Sequence, residues 1–182
     1  MSGQQPRARP AAVLPTLAAI EQRAAAQALL LRLQVRELLG LRSLRVVVAR
    51  PRPGQPPLLL GELKGWALPR PEGLQLDTMR VQGPATQGVG PLIWAATFAW
   101  ALEVTPCRRA RLLAIRDAEA QHRRLVRYFQ RLGFSPVREV AAAATDLPLR
   151  LVWGGAGLLM RGDCLEGLTR AWSQLDRLWP EG

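Results

Sequence analysis

Between Leu44 and Val81 the chain carries three runs with strand character, and the segments joining them are too short for anything but hairpins. Leu44–Ala49 is β-branched and stops at Arg50-Pro51-Arg52-Pro53-Gly54. Leu58–Leu68 comes next, then the turn Pro69-Arg70-Pro71-Glu72-Gly73, then Leu74–Val81. Proline and glycine clusters between such runs mark turns, and connections this short make neighbouring strands antiparallel. A three-stranded antiparallel meander is therefore the part of the fold around which everything else must be arranged.

Beyond Val81, helices and strands alternate. A loop, Gln82–Gly90, leads into a helix from Pro91 to about Glu103, with Pro91 at the first helical position, where no amide donor is needed. Ala110–Ile115 reads as a strand, Asp117–Leu132 as a strongly amphipathic helix capped by Gly133, and Phe134–Val140 as another strand. Ala141–Ala144 reads as a loop. Leu149–Trp153 and Leu158–Met160 are short strands around the turn Gly154-Gly155-Ala156-Gly157, and Leu165–Leu178 closes the chain as a helix whose apolar face extends to Trp179. Ahead of the meander, Leu17, Ile20, Ala24, Ala28, Leu31, Val35 and Leu38 recur at three- and four-residue steps, which predicts one helix from Thr16 to Leu39 capped by Gly40. Met1 to about Pro15 reads as a disordered lead-in. At 182 residues the remainder, residues 16–182, fits a single domain. The expected class is α/β, with a mixed, mostly antiparallel sheet flanked by helices.

Charge is the unusual part of the composition. Lysine and arginine total 25 against 14 acidic residues, a formal net charge of +11, and Lys64 is the only lysine. Alanine, leucine, glycine and proline are abundant too, so a compositional bias accounts for much of this. The same charge suits an acidic partner, either nucleic acid or a phosphorylated cofactor. Cys107 and Cys164 have no histidine beside them in the chain, so neither a disulfide framework nor a metal site is expected. No segment has the core of a signal peptide or the length of a membrane span, which points to a soluble cytoplasmic protein. Of the tryptophans, Trp66, Trp94, Trp100 and Trp153 read as core, whereas Trp172 and Trp179 are candidates for a partner-facing patch.

The chemistry is concentrated between Leu74 and Phe134. A glycine-rich turn entering a helix exposes unpaired amides at the positive end of the helix dipole, which favours phosphate. Here that turn is Gln87-Gly88-Val89-Gly90. Pro84, Gln87, Gly88 and Gly90, the strand–loop–helix–strand–helix order, and the ending Tyr128-Phe129-Gln130-Arg131-Leu132-Gly133-Phe134 together resemble the Gcn5-related (GNAT) acyltransferases. The resemblance spans roughly Leu44 to Val140. It implies an acyl-coenzyme A N-acyltransferase fold, acetyl-CoA or another acyl-CoA as co-substrate, and an amine acceptor. It also implies that Gln87, Gly88, Val89 and Gly90 hold the pyrophosphate. Asp77, four residues before Val81, falls where many members carry the carboxylate that deprotonates the amine, and Glu62 is a second candidate. His122 could serve as acid, base or cofactor contact. The stripe Arg124, Arg127 and Arg131 reads as a solvated face opposite Leu125 and Phe129, with the coenzyme 3′-phosphate or an RNA backbone as alternatives.

Two departures cut against the family pattern. Leu92 replaces a small residue after the glycines, where it could crowd the pyrophosphate. Phe129 stands at the position of the tyrosine that protonates the departing thiolate, and Tyr128, one residue earlier, is turned about 100° away on a helix. Direct attack on a thioester needs no covalent enzyme intermediate, so losing one acid slows such an enzyme rather than abolishing the reaction. The other readings are a GNAT fold reduced to a binding or regulatory module, and a basic nucleic-acid-associated protein.

Overall fold

The computed structural model describes residues 13–141 and 155–180. In chain order these form α1 (Leu17–Ala26), β1 (Leu30–Leu38), β2 (Leu41–Arg52), β3 (Gln55–Ala67), β4 (Leu74–Val81), α2 (Val89–Val104), β5 (Arg109–Ile115), α3 (Glu119–Arg131), β6 (Ser135–Val140), β7 (Gly157–Asp163) and α4 (Cys164–Leu178). The seven strands make one sheet ordered β1-β2-β3-β4-β5-β7-β6. All neighbours are antiparallel except β4 and β5, which are parallel. The mixed α/β class and the antiparallel meander β2–β3–β4 are as expected from the sequence.

The first long helix is not. Its N-terminal part forms α1, capped by the Thr16 side chain accepting from the Ala19 amide. The helix stops at Ala26; Ala28 adopts φ 53° and the chain leaves as β1. Leu31, Leu33 and Val35 alternate with Arg32, Gln34 and Arg36, a period-2 pattern lying inside the helical one. The strand prevails because β2 offers a continuous ladder, Leu30↔Ala49 through Leu38↔Leu41. Gly40 is accordingly no helix cap. Leu39 and Gly40, at φ 51° and 80°, are the two central residues of a tight hairpin with the positive-φ signature of a type I′ turn. Pro91 also shifts: α2 begins at Val89 with Gly88 as N-cap, so Pro91 is the third helical residue. The expected strand Leu149–Trp153 and most of the Ala141–Ala144 loop lie outside the described residues, as does most of the N-terminal lead-in.

The register separates the two sheet faces. Leu33, Val46, Leu63 and Met79 are successive partners across β1–β4 and point to the helices. There α2 lies so close to β3 that a Cβ on Gly61 would sit 2.8 Å from Ile93 and 2.9 Å from Val89. α2 is apolar all round because it is surrounded: Leu92, Ile93, Trp94, Phe98 and Trp100 are all buried. α4 packs on it where Gly167 meets the Phe98 ring. Residues of all four helices belong to one core cluster on this face. Leu113, Val140 and Leu159 form a small second cluster on the other face. Trp94 and Trp100 are core as expected; Trp66 is not, standing half-buried on that other face. No helix among the described residues is long and apolar enough to cross a membrane.

Candidate functional site

β4 carries the feature that builds the site. Lys64 pairs with Thr78 and Gly65 with Leu76, so Asp77 is an extra residue with no opposite number on β3, a β-bulge. Gly65 is needed there, since a Cβ would lie 2.5 Å from the Gln75 carbonyl oxygen. The bend coincides with the end of the parallel pairing. β4 and β5 are joined only from Leu74↔Ala110 to Leu76↔Leu112, and beyond Leu76 the β5-facing amides and carbonyls of β4 have no ladder partner. The strands part around a small notch of about 40 Å³ lined by Leu63, Asp77, Met79, Trp94, Leu113 and Phe129, among others. Trp94 and Phe129 come from the helical side and Leu113 from the opposite face, so the notch opens through the sheet.

The glycine turn stands at the helical side of this notch. Gly88 caps α2 in the left-handed region, at φ 82°. The Val89 amide donates to the Thr86 carbonyl (3.1 Å) and the Leu92 amide to the Gly88 carbonyl (2.9 Å). Gly90, in the first turn of α2, keeps an amide without an intrahelical acceptor, and Pro91 has no N–H to share that turn. A Cβ at Gly90 would reach Tyr128 Oη at 3.4 Å and Met79 Cε at 3.7 Å, ordinary contacts. Gly88 is tighter: the Trp179 ring at the end of α4 packs directly on its Cα. Val89 is buried against Gly61, and Gln87 is exposed. Of the expected phosphate-binding residues, Gly90 has both the free amide and the space. Leu92 is 0% exposed. It points into the core and does not crowd the turn.

Tyr128 is the residue that sequence reasoning turns the wrong way. Its hydroxyl accepts a hydrogen bond from Trp94 Nε1 (2.8 Å) and stands over the start of α2 beside Gly90. Phe129 faces the notch beside it, edge-on to Trp94 with ring centroids 6.1 Å apart and 5.6 Å from the Tyr128 ring. Burial pushes the Tyr128 phenol above its ordinary value, the Trp94 hydrogen bond opposing this; since the oxygen accepts from Trp94, the hydroxyl keeps its own hydrogen as a donor. From Tyr128 a groove of about 480 Å³ continues between α3 and α4, lined by Arg131, Arg170, Arg177, Thr169 and Ser173 among others. Arginine side chains lining this groove suit an anionic ligand.

The other candidates sit apart. His122 is 4% exposed, and its Nδ1 pairs with the Ile115 carbonyl oxygen (3.2 Å), tying the first turn of α3 to the end of β5. It does not line the notch. Glu62 accepts from Arg45 and lies 3.6 Å from Lys64. The Arg45 hydrogen bond, with further help from Lys64, holds its carboxyl below the usual range against the opposing effect of burial, which makes it a weak base. Cys107 and Cys164 are both buried free thiols. No three His, Cys, Asp or Glu side chains converge among the described residues.

No protein-family model matches the chain, and neither does any curated protein. Among solved structures, the crystal structure of nourseothricin acetyltransferase overlaps it with a TM-score of 0.44 and 17% identity, over 75% of this chain and 85% of that one. A likeness that weak carries no weight beside the bulge, the notch and the glycine turn.

Proposed function

We propose that the chain is an acyl-CoA-dependent N-acyltransferase that transfers acetyl to an amine by direct attack. The observation that carries this reading is the coincidence, at one point, of the Asp77 bulge, the parting of β4 from β5 and the glycine turn of α2. Bulges are concentrated beside active sites because they free backbone donors and re-aim a strand. Here β4 beyond Leu76 lacks its β5 ladder and borders the notch, where a carbonyl oxygen gaining negative charge would need hydrogen-bond donors.

The residues fit an acyl-CoA. Gly90 would hold the pyrophosphate by its amide, with Gln87, Gly88 and Val89 shaping the turn, and Arg131, Arg170 and Arg177 would meet the remaining phosphate charge. When bound, the co-substrate supplies the activated acyl group. Asp77, exposed at the bulge, takes the proton from the incoming amine. Tyr128 is the group within this site able to return a proton to the departing sulfur. His122 positions α3. A notch of about 40 Å³ suits acetyl and excludes long acyl chains.

The test is calorimetric titration with acetyl-CoA, comparing the native chain with Gly90→Leu. Saturable binding that falls at least about tenfold in the variant, corresponding to about 1.4 kcal/mol, supports the site. No binding to the native chain sinks the proposal and leaves the reading of a fold that serves as a binding module.

A further inference from the structure

The sheet face turned away from the helices is built like a surface for a phosphate backbone. Because side chains alternate along a strand, the register fixes which residues share that face. One row runs across all seven strands: Arg36, Ser43, Trp66, Gln75, Arg111, Arg161 and Ser135 are successive cross-strand partners. A second row reads Gln34, Arg45, Lys64 and Thr78, and a third Arg32, Val47, Glu62 and Arg80. Arg32, Arg36, Arg45, Lys64, Arg80 and Arg161 are exposed.

Carboxylates are too few to neutralise this face. Glu62 is shared by Arg45 (2.8 Å) and Lys64 (3.6 Å). Glu72, at the lower margin, is shared by Arg109 (2.9 Å), Arg111 (3.6 Å) and Arg161 (3.8 Å). Among the described residues Arg36 and Arg80 make no ion pair. These two carboxylates each serve more than one cation, Asp163 on the same face is taken up as the N-cap of α4, and the surplus is positive.

We propose that this open face binds a single-stranded nucleic acid along its sugar–phosphate backbone. Strands lie about 4.8 Å apart, so the seven-strand row offers cations and hydroxyls over about 29 Å. A strand of phosphates would meet arginines in bidentate hydrogen bonds. Polar side chains (Gln34, Ser43, Thr78) interleave with the cations and can bond sugars and base edges. Trp66, half-buried near the centre of the long row, offers a ring on which a base can stack. Beside it Gln75 is 8% exposed, and its Oε1 is without a hydrogen-bond partner, an acceptor that a base amino group or a ribose hydroxyl would satisfy. Around Trp66 the exposed side chains of this face are mostly charged or polar, more suited to a phosphate backbone than to a bilayer interior. The binding is independent of acyl transfer; if both hold, the notch opens onto this face and an amine carried by the bound strand could reach Asp77.

The experiment is fluorescence anisotropy of the full chain with labelled oligouridylate of about 20 nucleotides, from about 50 to 200 mM salt, without any acyl-CoA. The native chain binds saturably, and log K falls linearly with log salt. Replacing Arg36, Lys64 and Arg80 by Gln weakens binding at least about tenfold and makes the salt slope shallower by about 2, given about 0.7 per lost phosphate contact. Trp66→Ala weakens it about fivefold or more, as loss of a stacking ring does, with the slope unchanged. The control removes the same charge elsewhere: Arg123, Arg124 and Arg127 on α3 replaced by Gln lower the affinity less than about threefold, as nonspecific field effects do. Absence of binding by the native chain overturns the proposal. So does an equal loss in the two triple variants, and so does binding to vesicles rich in phosphatidylserine with none to the oligonucleotide. Circular dichroism of each variant keeps misfolding from counting as lost binding.

Discussion

In the proposed acyl transfer Asp77, which lines the notch, and Tyr128, which stands beside Gly90, would divide the chemistry from two different elements. Asp77 projects from a bulge with no cross-strand partner, free to accept a proton from a group entering between the strands. Tyr128 arrives from α3, half-buried, with its phenol proton held by burial. Asp77→Asn should lower kcat by at least about 100-fold, within the range that general base catalysis supplies, while acetyl-CoA affinity by calorimetry stays unchanged. Retained turnover would remove Asp77 from the mechanism. Tyr128→Phe should lower kcat too and change its pH profile. The native alkaline limb lies above the ordinary phenol value of about 10, and the variant lacks it. A limb that survives the substitution belongs to another group. The direction of Tyr128 is not legible in the sequence, where Phe129 alone sets the reference for which side of α3 faces inward. Between α2 and α3 the two neighbouring rings lie side by side, 5.6 Å apart, Phe129 against Trp94 and Tyr128 over Gly90.

At the level of elements, the contact between α2 and α4 is set by one missing side chain. A Cβ on Gly167 would stand 2.5 Å from Phe98 Cε2 and 2.8 Å from Cζ. Alanine in a helix interior is worth about 1 kcal/mol over glycine, whereas overpacking a core contact costs about 1–3 kcal/mol. Packing should win, so Gly167→Ala is expected to lower stability by about 1 kcal/mol, read as a reduced urea midpoint. A raised midpoint would mean that the helices separate freely and that Trp179, which closes over Gly88 from the end of α4, is loosely held as well. The elements that can be read from the sequence are those with a single signal. β4 is bounded by glycine and proline turns, and α3 has one strong apolar face; both fall within about two residues of expectation. β1 is hidden because Leu31, Leu33 and Val35 satisfy two periodicities at once, and only the ladder to β2 decides between them. The Asp77 bulge has no local signal at all. It exists because Gly65, on a different strand, lets the Gln75 carbonyl approach.

For the molecule as a whole, the rarity of lysine gives an unusually clean alkaline titration. Arginine keeps its charge below about pH 12, so the groups whose titration burial shifts, Tyr128 and Cys164, stand out in the alkaline range. Burial, with smaller contributions from Cys107 and Asp163, pushes the Cys164 thiol from 9.0 up to about 12, the nearby Arg108 opposing. Burial likewise raises Tyr128. Both groups hold their protons more tightly folded than unfolded, so their contribution to stability is fully present below the unfolded values. It is lost as pH rises, because the unfolded chain ionises first. Loss of a few protons also lowers the net charge from +11 and relieves self-repulsion, an effect of opposite sign that is screened by salt. The thermal midpoint at about 0.15 M salt, where the Debye length is about 8 Å, should therefore be level near pH 8 and decline between about pH 9 and 12. Cys164→Ala removes the thiol part of that decline and flattens the first half of the curve. An undiminished fall in the variant would place the alkaline loss elsewhere, and a midpoint that rises through about pH 10 would show that the surplus of arginine, rather than burial, governs how this fold responds to pH.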